Sequence, residues 1–449
     1  MILPVREHAA GLCQEICVKY SAPPYMHDVL PFEPANDGWL HAARWRAVER
    51  IFREVCREYN YREIRTPVME LTELFARSVG EGTDIVSKEM FTFTDRGGRS
   101  MTLRPEGTAS ALRAYLENKL YGENAVTKLY YIATIYRYER GQRGRYREHQ
   151  QTGVEALGSQ DPALDAEILT LAMEFYRRLG IRETELRINS VGCPVCRPAY
   201  RERLIAFARE RLDQMSDDNR TRFEVNPLRM LDSKDERDRR ALAEAPKLLD
   251  NLCDECHTHF DSLRRYLELL DVPYCVDLNL VRGFDYYTKT AFEIVSPELG
   301  AQNVIGGGGR YDGLIEELGG PPTPGIGFGI GTERCLLVLD QLGVQLPLDN
   351  EQPLAFVAAL GENAKPVAVN LLNDLRRAGV AAEMDYAGRS LKSQMRQADK
   401  LGARFVCVLG DDEVAQSVVT LKPMGGGEQR SVPLNEIVVM LTEEAGRHE

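Results

Sequence analysis

The stretch "VQLPLDNEQP" (344–353) limits the possible folds of this chain more than any other. Two prolines and few apolar anchors there separate two kinds of patterning. Such composition marks a linker rather than a packed element. The 449 residues exceed what one core organises, so a boundary at 343–352 divides them into a large and a small unit. After it, "LAFVAALG", "GVAAEMDY" and "ARFVCVLG" alternate with helical segments near 364–378 and 388–401. That alternation predicts an α/β domain over 353–449 with a mostly parallel core, and "GGGEQR" inside it reads as a hairpin turn.

Before the linker the chain is strand-rich and interrupted by helices. "GWLHAARWRAVERIFREVCREYNY" carries Leu40, Trp45, Val48, Ile51, Phe52 and Val55 at helical spacing. "REIRTPVME" alternates like a strand, and its Pro67 assigns it to an edge or interface. A hairpin turns at Gly97-Gly98, "ASALRAYLENKL" is a helix, and "KLYYIATIYRYER" and "QQTGVEALG" are strands. Asp161-Pro162 is an N-cap and first-turn pair for a helix over 161–180. Residues 193–262 are helical, charged and bracketed by cysteine pairs, which marks a subdomain inserted into 21–342. Residues 1–20 have no assignment, and "APPYMHDVLPFEP" reads as extended.

The net charge of -12 argues against broad coating by nucleic acid but permits a local basic site. No apolar run reaches the length of about 18 residues that a membrane span needs. The first twenty residues have an acid among the first ten and no long apolar core, unlike a secretory leader. The expectation is therefore a cytoplasmic protein whose ten cysteines are thiols or metal ligands.

Five segments carry chemistry. "IYRYERGQRGRYREHQ" concentrates five arginines and one glutamate between Arg137 and Arg147, and guanidinium forks grip phosphate in bidentate geometry. A solvated charged hairpin is the plainer reading. In "LRPEGT", Glu106 is placed to hold an ammonium with Thr108 beside it. The plainer reading makes Thr108 a helix cap and Glu106 a first-turn acid. "NVIGGGGRYDG" lacks the spacing and lysine of a phosphate loop, so close backbone packing is the better account. "GIGFGIGTERCLLVL" predicts a flat glycine strand, on which a ring could lie, running into a helix that presents Arg334. "LVRGFDYYTKTAFEIV" sets Arg282 beside Tyr286 and Tyr287. In a regular strand the two tyrosines face opposite ways, which favours Tyr287 as the ligand contact and requires a bulge after Gly283 to bring Arg282 alongside.

Two further patterns sit outside these segments. "CPVC" (Cys193, Cys196) and "CDEC" (Cys253, Cys256) suit a tetrahedral four-thiolate zinc site, structural because no coordination position stays open. His257 and His259 are alternative ligands, and small buried thiols are the competing account. Arg389, Lys392, Arg396, Lys400 and Arg404 recur at steps of three and four, so one helix would carry them as a basic stripe. That stripe is either a solvated face or a surface for nucleic-acid phosphate.

Together these segments resemble the class II aminoacyl-tRNA synthetases, and within them the histidyl-tRNA synthetase family. "REIRTPVME" resembles motif 1, the dimer-interface element. "TLRPEGT" and "YRYERGQRGRYREHQQTGVE" resemble motif 2 and its flanks, and "GIGFGIGTERCLLVL" resembles motif 3. "LVRGFDYYTKTAFE" is similar to the histidine-specific signature, and the likeness covers the chain from about residue 22. Two departures stand out: His149-Gln150 precede Gln151 where the family commonly has Phe-His, and Gly141 stands where proline is common.

The resemblance implies an α+β chain, with a class II antiparallel-sheet catalytic domain holding a helical insertion and a C-terminal α/β anticodon-binding domain. It implies activation of L-histidine by ATP with Mg2+, transfer to tRNA(His), and a homodimer. By the same resemblance Arg137 and Arg282 would act on the α-phosphate and Arg334 on the γ-phosphate. Arg145 and Tyr146 would line the adenine and triphosphate side. Glu106, Thr108 and Gln151 would hold the amino group of histidine, and Glu155, Tyr286, Tyr287 and Tyr311 would read its imidazole. Arg140 and Arg143 on the motif 2 loop, with Arg389, Lys392 and Arg396 in the last domain, would meet tRNA. A regulatory subunit built on the same fold and a non-catalytic tRNA sensor are the alternatives. The histidine signature and the last hundred or so residues argue against the first, and the phosphate-binding arginines against the second.

Overall fold

The structure is a computed structural model that describes residues 20–80, 83, 85–233, 235–281, 286–349 and 351–446. The expectations for residues 1–19 and for Arg282 lie outside those residues. The chain separates into two compact units at Leu348 and Asp349. No helix among the described residues is long and apolar enough to cross a membrane.

The first unit begins with α1 (Ala42–Glu58), β1 (Arg62–Glu63), β2 (Met69–Leu71), α2 (Thr72–Val79), β3 (Thr92–Thr94), β4 (Ser100–Leu103) and α3 (Thr108–Glu117). It continues through β5 (Thr127–Tyr136), β6 (Glu148–Leu157), α4 (Pro162–Leu179) and β7 (Glu185–Ser190). The insertion follows as α5 (Arg197–Arg209), α6 (Asp217–Val225), α7 (Glu236–Ala241) and α8 (Asp254–Leu269). The unit closes with β8 (Cys275–Val276), β9 (Thr288–Val295), β10 (Val304–Arg310), α9 (Leu314–Glu317), β11 (Gly325–Gly331) and α10 (Thr332–Leu342).

Eight of these strands form one sheet in the order β1-β5-β6-β11-β10-β9-β7-β8, and β2-β4-β3 form a small second sheet. The central pairs are antiparallel, and only the β1/β5 and β7/β8 edge pairs are parallel. "REIRTPVME" was expected to be one strand and is two, β1 and β2, in different sheets. Pro67 lies in the break, where it has no N–H to donate to a ladder. The freed carbonyls of Thr66 and Pro67 accept from Arg104 Nη1 at 3.0 and 3.3 Å.

Helices α1, α4 and α10 cover one face of the large sheet. Val48, Phe52 and Val55 of α1, Phe175 and Tyr176 of α4 and Leu336 of α10 are all fully buried in this core. The cap read from Asp161 is present, its carboxylate accepting from Ala163 N at 2.9 Å. A buried ion pair ties the layers together: Arg310 Nη2 of β10 lies 2.6 Å from Asp165 Oδ1 of α4. Asp165 Oδ2 also meets His259 Nε2 at 2.8 Å and the Thr290 hydroxyl at 2.6 Å. Helix α8 therefore packs into the same core through Phe260, Leu263 and Leu267, although it begins in the insertion.

The second unit comprises β12 (Ala355–Ala359), α11 (Ala364–Arg377), β13 (Ala382–Met384), α12 (Leu391–Lys400), β14 (Phe405–Leu409), α13 (Asp411–Ala415), β15 (Val418–Pro423), β16 (Arg430–Pro433) and α14 (Ile437–Gly446). Its sheet order is β13-β12-β14-β15-β16. Only β13, β12 and β14 run parallel, and β15 and β16 are antiparallel. The core is thus mixed rather than mostly parallel, because "GGGEQR" closes a hairpin instead of leading into a crossover helix.

Candidate active site

On the face opposite those helices the first unit opens into a cleft of about 1030 Å³. Strands β6 and β11 form its floor. Pleating sends Val154 and Ala156 into the helix-covered core and turns His149, Gln151 and Glu155 the other way. On β11, Ile326, Phe328 and Ile330 fill the core while Gly327 and Gly329 face the polar side. A β-carbon at Gly327 would lie 2.1 Å from Glu155 Oε2, and one at Gly329 would lie 2.1 Å from Gln151 Nε2. The alternating glycines therefore accommodate two polar side chains of the neighbouring strand, as well as keeping the floor flat.

Those side chains form one network. Gln151 Nε2 donates to the Tyr131 hydroxyl at 3.2 Å, and that hydroxyl donates to Glu155 Oε1 at 3.3 Å. The Tyr311 hydroxyl makes a short hydrogen bond to Glu155 Oε2. Burial pushes the Glu155 carboxyl up to about 8, against the opposing effect of the Tyr311 and Thr108 hydrogen bonds. Burial therefore favours the protonated carboxyl over the carboxylate here. Tyr131 was not singled out from sequence. Its ring fills the space a β-carbon at Gly107 or Gly153 would need, within 2.3 and 2.4 Å, so glycines facing an aromatic strand were the available signal.

Tyr286 and Tyr287 do not face opposite ways as a regular strand would require. Strand β9 begins only at Thr288, and both buried rings line the cleft with centroids 4.7 Å apart. The Tyr286 ring meets Tyr311 edge-on at 5.8 Å. Thr108 is not the cap of α3. Glu106 takes that role, its buried carboxylate accepting from Thr108 N at 2.6 Å and Ala109 N at 2.7 Å. Burial raises its pKa while those amides oppose the rise, and the carboxylate sits at the cleft wall.

The other end of the cleft is cationic. Arg137 Nε donates to Pro105 O at 2.7 Å, and Arg334 Nε donates to Gly144 O at 3.0 Å. Glu139 lies 3.8 Å from Arg137 and 3.5 Å from Arg145, and its Oε2 is buried with no hydrogen bond among the described residues. Burial, and after it the nearby Arg145, lower the Arg334 pKa. Burial together with Arg137 and Arg334 depresses His149 to about 3, leaving a neutral imidazole. Tyr146 stacks on Trp39 at 5.3 Å and meets His27 edge-on at 5.0 Å. Arg140 and Arg143 are exposed on the loop.

The two departures from the family pattern have local reasons. A β-carbon at Gly141 would fall 1.9 Å from Tyr25 Cδ1, so the segment before α1 packs where a larger residue would sit. Gln150 joins three elements: its Nε2 donates to Glu49 at 2.9 Å, its Oε1 accepts from Thr332 at 3.0 Å, and its N–H donates to Glu333 at 2.8 Å. Neither Tyr25 nor His27 was marked by sequence reasoning, which read that stretch only as extended.

In the second unit the five-residue stripe is not on one helix. Arg389 precedes α12 and pairs with Asp385 at 2.6 Å, and Arg404 follows it and lies 3.8 Å from Glu444. Lys392, Arg396 and Lys400 remain on α12, all exposed. The stripe was overcounted because spacing alone cannot see where the helix starts and stops. In the first unit the four cysteines converge, with all four sulfurs within 4.8 Å of one another. The two candidate histidines do not join them: His257 pairs with Asp261 and His259 with Asp165.

An antiparallel sheet whose glycine strand delivers an arginine to a cationic cleft is the arrangement implied for a class II aminoacyl-tRNA synthetase. Similarity to known proteins narrows the class to one family. The histidyl-tRNA synthetase family model matches residues 39–335, and an anticodon binding domain model matches 354–444. A histidine--tRNA ligase of Desulforamulus reducens is 52% identical over 415 residues, covering 92% of this chain and 97% of the relative. One from Pelotomaculum thermopropionicum is 51% identical over 417 residues, covering 93% and 96%. The crystal structure of apo S. aureus histidyl-tRNA synthetase aligns with a TM-score of 0.79 at 38% identity, covering 94% of this chain and 100% of that one. The chain belongs to the histidyl-tRNA synthetase family.

Proposed function

We propose that this protein is a histidine--tRNA ligase that forms histidyl-adenylate from L-histidine and ATP and transfers histidine to the 3′ end of tRNA(His). The observation that carries this reading is one cleft joining two unlike ends. Tyr311 and Gln151 line one end, hydrogen-bonded to Glu155 and Tyr131 behind them, and suit an imidazole; Arg137, Arg145 and Arg334 line the other and suit a triphosphate.

In the first step the histidine carboxylate oxygen attacks the α-phosphorus and the bond to the β-phosphate oxygen breaks, releasing diphosphate. Two anions must meet, so fixed guanidinium groups lower the barrier by stabilising charge on the phosphoryl oxygens. Arg137 is held for this by Pro105 O, and Arg334 by Gly144 O. Arg282 would add a third cation. No side chain need move a proton, so rate comes from alignment. Gln151, Glu106 and Thr108 lie where the ammonium of histidine would be held, and Tyr286 and Tyr287 wall the ring. Tyr146 and Arg145 flank the nucleotide side.

In the second step the terminal 3′ hydroxyl oxygen of tRNA attacks the carbonyl carbon, the bond from that carbon to the phosphate oxygen breaks, and AMP leaves as its phosphate takes up the hydroxyl proton. Arg140 and Arg143 would meet the acceptor end, and Lys392, Arg396 and Arg389 the anticodon side. Magnesium would be held through the nucleotide phosphates and one or two carboxylates. Glu139, which lies between Arg137 and Arg145, is a carboxylate that would meet a cation brought by the nucleotide. When bound, the ion neutralises triphosphate charge. The four-thiol cluster offers no open coordination position and takes no part in either step.

A homodimer is part of the same proposal. Val68, Met69, Leu71 and Phe93 expose apolar side chains on and beside the small sheet, a patch that a second copy would cover. The test is charging of tRNA(His) with labelled histidine by the purified protein. Formation of histidyl-tRNA supports the ligase. Binding of tRNA without charging would instead fit the regulatory or sensing alternative.

A further inference from the structure

Four cysteines from two distant parts of the chain meet at the base of the insertion. Sγ of Cys193 lies 3.8 Å from that of Cys196 and 3.7 Å from that of Cys253, and Cys196 lies 3.9 Å from Cys256. A disulfide needs about 2.05 Å, so these are separate thiols. Zinc–thiolate bonds of about 2.3 Å in a tetrahedron set neighbouring sulfurs about 3.8 Å apart. Backbone amides point at two of the sulfurs: Cys193 N donates to Cys196 Sγ at 3.2 Å, and Val195 N donates to Cys193 Sγ at 3.4 Å. Such N–H···S bonds orient thiolates and stabilise their charge. Gly192 has φ +67°, and a β-carbon there would sit 2.9 Å from Cys196 Sγ, so the turn has room only for glycine.

From this geometry we infer that Cys193, Cys196, Cys253 and Cys256 bind one tetrahedral Zn2+ that clamps the base of the insertion to the strand leading out of the histidine pocket. Four thiolates select a borderline-soft ion of tetrahedral preference over Mg2+ or Ca2+. The clamp reaches the pocket by short links. Gly192 O accepts from Lys289 N at 2.7 Å, and Val191 N donates to Lys289 O at 2.7 Å. Arg197, the residue after Cys196, donates to Tyr287 O at 2.6 Å. Glu255, between the second pair, holds Lys289 Nζ at 2.7 Å. The ion would thus fix the backbone of Tyr287 and Lys289 without touching substrate. The effect on histidine rests on the proposed ligase function, whereas the binding of metal does not.

The test is elemental analysis of the full-length protein purified without added chelator, followed by titration with a mercurial that displaces thiolate-bound metal. The expected result is about one zinc per chain, released as four thiols react. Cys193→Ser and Cys256→Ser should each lose the metal. Because either variant could unfold, Co2+ is exchanged into wild type, where the sulfur-to-cobalt charge-transfer bands of a tetrahedral thiolate site are expected. Metal-depleted protein that retains its helical content should need roughly tenfold more histidine for half-maximal pyrophosphate exchange, with the ATP requirement unchanged. A folded wild-type protein with zinc well below one per chain, or with iron in its place, overturns the assignment. Metal retained in both serine variants overturns the ligand set. One zinc per chain with an unchanged histidine requirement after depletion overturns the coupling to the pocket.

Discussion

Gly327 on β11 lies directly across the sheet register from Glu155 on β6, and no side chain larger than hydrogen fits between its α-carbon and the Glu155 carboxylate. Glu155, proposed to read the imidazole, and the glycine that admits it are separate positions in sequence but one feature in space. Gly327→Ala should therefore displace Glu155 while leaving the arginine end intact. The expected result is a KM for histidine raised at least about tenfold in pyrophosphate exchange, KM for ATP within about twofold, and a stability loss of about 1–3 kcal/mol from overpacking.

Glu155 also predicts a pH effect on stability. Its carboxyl is raised from an ordinary 4.5 to about 8, so between those values the folded state holds a proton that the unfolded state has lost. That difference makes stability fall as pH rises through this window. Glu155→Gln removes the titration and keeps an oxygen acceptor. Denaturant titrations should show the two proteins similar near pH 4.5 and the variant more stable near pH 8 by a few kcal/mol, on the order expected for such a shift. The same variant should lose most histidine-dependent exchange. Parallel stability profiles across this range would contradict the assignment of a proton to Glu155.

Arg137 and Arg334 should behave differently from Glu155. Replacing either with Ala removes a fixed cation from the cationic end of the cleft, and exchange should fall by about 10²–10³-fold. Arg137→Lys keeps the charge but loses the Nε bond to Pro105 O, so it should recover only part of the rate. Steady-state exchange at varied ATP is the measurement.

Asp165 is a structural test. It is fully buried between Arg310 and His259. Burial alone would raise its pKa, but the Arg310 guanidinium and the hydrogen bond from His259 hold it below the ordinary value of 3.8. The stability it contributes is therefore present above about pH 4 and is lost as pH falls through the lowered folded value. Asp165→Asn leaves Arg310 without its counter-charge and should cost about 3–5 kcal/mol at neutral pH by chemical denaturation.

How much of this was legible in sequence follows from which interactions are local. The helix before β1, the Asp161 cap and the glycine strand leading into Arg334 are set by neighbours a few residues apart. They could be read directly. The cysteine pairs could be read too, because the spacing within each pair is short. The Glu155–Gly327 relation could not, since it depends on the register of two residues 172 positions apart in the chain. Strand alternation misled at Tyr286 because the strand begins two residues later. It misled at Pro67 because a missing N–H outweighed an apolar pattern. The basic stripe was overcounted where a local carboxylate, Asp385, claims Arg389 before the helix starts.

In the second unit, charge reversal should separate tRNA binding from chemistry. Lys392→Glu with Arg396→Glu leaves the cleft untouched, so exchange should be unchanged while charging weakens. The salt dependence of tRNA binding should flatten by about one unit of log–log slope per lost phosphate contact. A filter-binding series over salt checks it.

The most direct measurement is pyrophosphate exchange into ATP by the purified protein with each of the twenty amino acids in turn. Exchange supported by histidine alone, and abolished by Glu155→Gln without loss of folding, is the predicted result. Exchange with a different amino acid, or none with histidine while ATP still binds, would contradict the account.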